Sequence, residues 1–196
     1  AAVEASDHHP NYLRMLAAVC LRSDYLEKAK KAFQQLLDKY DRGYPVEKDQ
    51  RIYVLKKLGD LYIKSQNYGE AIQVWKRLVD ETEDKSLAKF KLAIAYGLDG
   101  QYKPAIQLLE EVKENYPDSV IVYNKLGWAY ALAGNYRQAI SYYNQALVID
   151  PADLFSLFEL GKYYLIIGDK PRAAKYFDRI RRYDRTGEYL ERISKL

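Results

Sequence analysis

The stretch Val120–Pro151, VIVYNKLGWAYALAGNYRQAISYYNQALVIDP, decides the fold. Apolar residues recur in it at three- and four-residue steps, as at Tyr123, Leu126, Gly127 and Tyr130, and again at Ala139, Tyr143, Ala146 and Leu147. That spacing puts them on one face of a helix. Ala133-Gly134-Asn135 breaks the pattern between two such helices, and Pro151 ends the second, because a helix does not continue through proline unbroken.

The same pattern appears thirty-four residues later as Leu160, Gly161, Tyr164, Gly168, Ala173 and Phe177. It appears thirty-four residues earlier as Leu92, Ala93, Tyr96, Gly100, Ala105, Leu109 and Pro117, and one step further back as Leu58, Gly59, Tyr62, Ala71 and Trp75. Four units at one fixed spacing predict a repeat array, each unit an A helix and a B helix that cannot bury their apolar faces alone. Gly59, Gly127 and Gly161, with Ala93, let an A helix approach its B helix closely, and Ala71, Ala105, Ala139 and Ala173 do so from the other side.

These motifs resemble the tetratricopeptide repeat family: L-G/A-x-x-Y in the A helix, A-x-x-x-F/Y/W/L in the B helix, and a closing proline. The resemblance covers residues 10–184 and implies an all-α, right-handed superhelical solenoid of about five helix pairs with its A helices lining a concave groove. The expected units are residues 10–41, 52–85, 86–119, 120–153 and 154–184, after a tail at 1–9. The first unit is degenerate: Leu13, Leu16, Ala17 and Cys20, then Ala29, Phe33 and Leu36. Residues 42–51 interrupt the spacing and read as a longer loop or an early start to the next A helix. Residues 185–196 read as a capping helix, with Tyr189, Leu190 and Ile193 over the last open core face.

Composition limits the function. The net charge of +4 resides in Gly168–Leu196, where nine basic residues face five acidic ones. Lys170, Arg172, Lys175, Arg179, Arg181, Arg182 and Arg185 form that basic end; Asp178 and Asp184 interrupt it, and no nucleic-acid motif accompanies it. No apolar run reaches the length of a membrane span. The single cysteine, Cys20, precludes an internal disulfide and fits a reducing compartment, although a targeting segment beyond this sequence would escape notice.

Nothing in the chain reads as catalytic or cofactor-binding apparatus. The two histidines, His8 and His9, are adjacent in the terminal segment without a third metal ligand at suitable spacing. Cys20 occupies the place that Tyr62, Tyr96, Tyr130 and Tyr164 hold in the other units, a core position. The glycines follow the repeat and make no phosphate loop. We therefore expect no metal, no cofactor and no enzymatic activity.

Function is expected on the A helices. Helical geometry assigns to the groove Leu87, Phe90 and Ile94 from the third unit, Ile121, Asn124 and Trp128 from the fourth, and Phe155, Phe158 and Lys162 from the fifth. The aromatic members lie outside the repeat's own core positions, which points to an apolar or amphipathic segment of a protein partner. Lys57, Lys91 and Lys125 recur at the repeat spacing and would attract acidic groups. Some tetratricopeptide proteins grip a C-terminal carboxylate with a lysine and asparagine set; Lys56 and Lys125 match it, but Asp60, Lys91 and Ile121 depart from it. The alternative is a structural protein that associates with copies of itself.

Overall fold

The computed structural model describes residues 9–196. The expectations placed on residues 1–8, including His8 and most of the N-terminal tail, lie outside the described residues. Among the described residues every regular element is an α-helix: α1 Pro10–Arg22, α2 Leu26–Asp41, α3 Lys48–Lys64, α4 Tyr68–Glu81, α5 Ser86–Leu98, α6 Tyr102–Asn115, α7 Val120–Leu132, α8 Tyr136–Ile149, α9 Leu154–Ile166, α10 Lys170–Tyr183 and α11 Glu188–Ile193.

Local signals explain the boundaries. Pro10 opens α1 and Pro171 falls in the first turn of α10, where a missing N–H is harmless. Side chains of Asn135, Asp153 and Asp169 accept hydrogen bonds from backbone N–H groups in the first turns of α8, α9 and α10, satisfying donors the helix leaves free. Gly134 and Gly168 take positive φ between the helices of their pairs. Gln66 takes φ +60° at the matching turn between α3 and α4, a costlier choice for a residue with a Cβ.

The described residues divide into two compact units, the first ending at Asp99 and the second running from Gly100 to Leu196. In the first, α1 pairs with α2 and α3 with α4, while α3 also packs on α2 and α5 on α4. Its core holds Leu13, Ala17, Phe33, Leu36, Leu55, Leu58, Trp75 and Leu78. Burying each large side chain contributes about 1.5–3 kcal/mol. In the second unit α7 packs on α6 and α8, and α9 on α8 and α10. Leu126, Tyr143, Leu157, Leu160, Phe177 and Ile180 are buried there.

The small residues sit where close approach demands them. A Cβ on Gly59 would lie 2.5 Å from the indole of Trp75, and one on Gly127 would lie 2.6 Å from the ring of Tyr143. Gly161 stands in the same relation to Phe177.

Between α2 and α4 the repeat spacing is interrupted. A loop follows Asp41, and α3 starts early at Lys48 to become a 17-residue helix. The added turn carries Arg51, which binds Asp41 at 2.7 Å and Glu81 at 2.9 Å. Arg77 of α4 binds the same two carboxylates. The four side chains close an ionic ring joining the ends of α2 and α4 to the start of α3. Hydrogen bonding to Asp41, helped by Glu81 and opposed by desolvation, raises the Arg77 pKa and keeps it charged.

The capping helix α11 packs on α9 and α10. Tyr189 and Ile193 cover the core, while Leu190, expected beside them, is 37% exposed. Asp184 fixes the start of α11: its carboxylate accepts from the backbone N–H groups of Thr186, Gly187, Tyr189 and Leu190, and from the Thr186 hydroxyl.

Candidate interaction surface

The A helix of each pair buries one side against its B helix and leaves another side open. In the first unit the open side of α5 carries Leu87, 45% exposed, with Phe90 and Ile94 half-buried beyond it. Lys91, on the same helix, binds Asp60 of α3 at 2.8 Å and lies 6.0 Å from the Trp75 ring. On α3, Lys57 lies over the ring of Tyr53, which is itself half exposed. Two of the expected lysines are thus seated on rings, and one also has an acidic partner within its own unit.

In the second unit Ile121 is 63% exposed at the start of α7. Trp128 and Phe155 are half-buried, and the Lys125 ammonium lies 5.5 Å from the Trp128 ring and 5.9 Å from the Phe155 ring. Lys162 forms an ion pair with the buried Glu159 at 2.5 Å and lies near the rings of Phe158 and Tyr163. The result is an apolar, aromatic face whose cations rest on its rings.

Two residues expected on this face belong to the interior. Asn124 is buried: its amide nitrogen donates to Asp153 at 2.9 Å and its carbonyl accepts from Ser156 Oγ at 2.5 Å. It ties α7 to the start of α9. Phe158 is buried under α11, with the Tyr189 ring edge against it and the Arg192 guanidinium 4.2 Å above it. The repeat spacing gave no sign that α11 would cover this position.

The chain has twenty tyrosines, and several of them join helices of the second unit. Tyr142 of α8 donates to Glu110 of α6 at 2.5 Å, and stacks on Tyr130 of α7. Burial, then the Glu110 hydrogen bond and charge, push its pKa up to about 12 despite nearby Lys113. Burial and the Glu159 charge push Tyr163 to about 12 as well. Tyr143, more deeply buried, moves further in the same direction. These phenols stay neutral and hold the helices of the second unit together.

Cys20 is buried in α1, as its place in the repeat implied. Among the described residues no group of three or more His, Cys, Asp or Glu side chains is arranged to hold a metal ion, and no helix is long and apolar enough to cross a membrane. The basic end is partly paired internally: Arg172 with Asp169, Arg181 with Asp178, and Arg179 with the Pro151 carbonyl.

Two models described as tetratricopeptide repeat match the chain, one over residues 87–119 and the other over residues 120–153. The chain carries tetratricopeptide repeats. Solved structures of such repeats share its fold. A MamA fragment from Desulfovibrio magneticus RS-1 superposes with a TM-score of 0.74 at 21% identity, covering 91% of this chain and 97% of that one. Another MamA structure gives 0.69 at 20% identity over 97% and 96%. A putative kinesin light chain with nearly identical repeats, from Podosopora anserina, gives 0.71 at 20% identity over 92% and 98%. No curated protein sequence matches the chain. Tetratricopeptide repeats of this kind, matched over residues 87–153, support a protein-interaction scaffold.

The sequence pattern missed one surface. On α1, Tyr12, Met15 and Val19 are 42%, 70% and 58% exposed, an apolar stripe along a single helix face. Aligning α1 with α3 at their shared core positions, Cys20 with Tyr62, would have singled it out.

Proposed function

We propose that the chain is an assembly or adaptor module whose A-helix faces bind an apolar or amphipathic segment of a partner protein. The observation that carries this reading is that each unit exposes apolar residues on an A helix, Leu87 of α5 with half-buried Phe90 in the first and Ile121 of α7 with half-buried Trp128 in the second. Contiguous exposed apolar patches mark interaction sites, and tryptophan is enriched among binding hot spots. Ile94 and Phe155 extend these faces, each on its own unit. Lys57, Lys91, Lys125 and Lys162 favour a segment that also carries acidic residues.

The test compares proteins captured from a native lysate by the wild type and by the Phe90→Glu/Trp128→Glu variant, at equal helicity. A partner held by the wild type and lost with the variant supports the reading. Equal capture of every protein by the two forms would overturn it.

A further inference from the structure

Two turns of the second unit, one between α7 and α8 and the other between α9 and α10, lie along the same edge. Tyr176 of α10 donates to Asn144 of α8, so these two B helices run side by side. The ring centroids of Tyr136 and Tyr163 are 5.4 Å apart, which ties the start of α8 to the last turn of α9. Turns are ordinarily polar, but this edge is apolar. Ile166 and Ile167 are 68% and 63% exposed, Tyr136 is 52% and Leu132 is 42%. In the turn between α3 and α4 the places of Ile166 and Ile167 are held by Lys64 and Ser65. A single exposed apolar side chain needs no explanation, whereas four along one edge mark a surface of contact.

Charge and shape narrow what it contacts. Over residues 132–138 and 166–172 the bases are Arg137, Lys170 and Arg172, and the acid is Asp169. Asp169 is engaged, pairing with Arg172 at 3.2 Å and capping α10. Arg137 and Lys170 are exposed, so the edge presents positive charge and calls for an anionic counterpart. Consecutive helical residues diverge by about 100°, so Ile166 and Ile167 project from one turn in different directions. Gly168, at φ +81°, reverses the chain directly after them. A rigid protein surface meets such a tip from one side, while a fluid bilayer closes around it. Tyr136, with an apolar ring and a polar hydroxyl, suits the headgroup level, as do long basic side chains.

We propose that this edge of the second unit docks on an anionic lipid surface, with Ile166 and Ile167 entering the acyl boundary and Arg137 and Lys170 meeting the headgroups. Ile121 stands at the opposite end of α7 from Leu132, so the proposed protein-binding face and this edge can fail separately.

The test is co-sedimentation of the full chain with vesicles of phosphatidylcholine containing about one quarter phosphatidylserine, and with vesicles of phosphatidylcholine alone. We expect the anionic vesicles to bind at least about tenfold more tightly at low salt, and binding to fall as salt rises. Ile166→Ser/Ile167→Ser leaves the charge unchanged and should weaken binding to the anionic vesicles about tenfold or more. Ile167→Ser alone, in the turn beyond α9, provides a second variant should the pair lose helicity. Arg137→Glu/Lys170→Glu should also weaken binding about tenfold or more. Arg182→Glu/Arg185→Glu makes an equal charge change at the far end of α10 and should cost less than about threefold. The Phe90→Glu/Trp128→Glu variant should stay within about threefold of the wild type. No binding at about 1 mM lipid, where even the ~10⁴ M⁻¹ affinity of a single acyl chain is evident, would overturn the proposal. So would equal losses in the two charge-reversed variants, which would make the binding an effect of net charge alone. With the vesicles unbound, a protein captured from native lysate by the wild type and lost with Ile166→Ser/Ile167→Ser would give the edge to a protein. A wild-type dimer that the same variant dissociates would give it to a second copy; either result overturns the proposal.

Discussion

Gly59 lies against the Trp75 indole, Gly127 against the Tyr143 ring and Gly161 against the Phe177 ring, so the closest approach in three helix pairs is a missing Cβ opposite an aromatic plane. Gly59→Ala should therefore destabilise the protein by about 1–3 kcal/mol in urea unfolding, because the buried indole has nowhere to retreat. Gly69, in the first turn of α4, has open space where its Cβ would be. Gly69→Ala should instead stabilise the protein by about 0.4–1 kcal/mol, and a loss there would contradict the packing argument. The phenols make a separate claim. Tyr142 and Tyr163 hold pKa values of about 12 in the folded protein, against about 10 in the unfolded chain. Their protonated forms stabilise the fold fully below pH 10, and that contribution is lost as pH rises toward 12. Tyrosinate absorbance should show a late group, Tyr142 and Tyr163 among it, that ionises only as helicity disappears.

Among the helices, α11 depends most on one side chain. Desolvation tends to raise the Asp184 pKa, but hydrogen bonds from the Leu190 N–H, Thr186, Gly187 and Tyr189 outweigh it and hold the carboxylate below its ordinary value. The stabilisation is complete above the unfolded aspartate pKa of about 4 and is lost as pH falls through the lower folded value. Asp184→Ala should speed amide exchange at Tyr189 and Leu190 at neutral pH while leaving α7 protected; unchanged exchange in α11 would show that packing alone holds it. The helix pairs themselves were legible because one spacing fixes the core faces, the turns and the small residues at once. The purpose of the interruption at 42–51 was not, because Arg51 finds Asp41 and Glu81 only when three helices converge. The reach of α11 over Phe158 was hidden for a similar reason: six residues with no partner in the repeat leave no periodic signal.

At the scale of the molecule, the repeats specify how each helix pair stacks and leave the open sides of the A helices free to vary. The sequence pattern therefore named open A-helix positions, and Leu87 and Ile121 are exposed each on its own unit, but it included Asn124 and Phe158 by position alone. What moved those two inward was a polar partner, Ser156, and a terminal helix, neither encoded in the thirty-four-residue spacing. The placement of the two tryptophans has a practical consequence. Trp75 sits in the first unit, buried, with an indole N–H that has no hydrogen-bond partner; Trp128 sits in the second, half open on the proposed binding face. An indole in a dry setting emits at shorter wavelength than one in contact with water, so the protein carries two distinguishable optical gauges. Blue emission from Trp75 reports the integrity of one set of helices, and quencher access to Trp128 reports whether a ligand has arrived on the other, with no label attached.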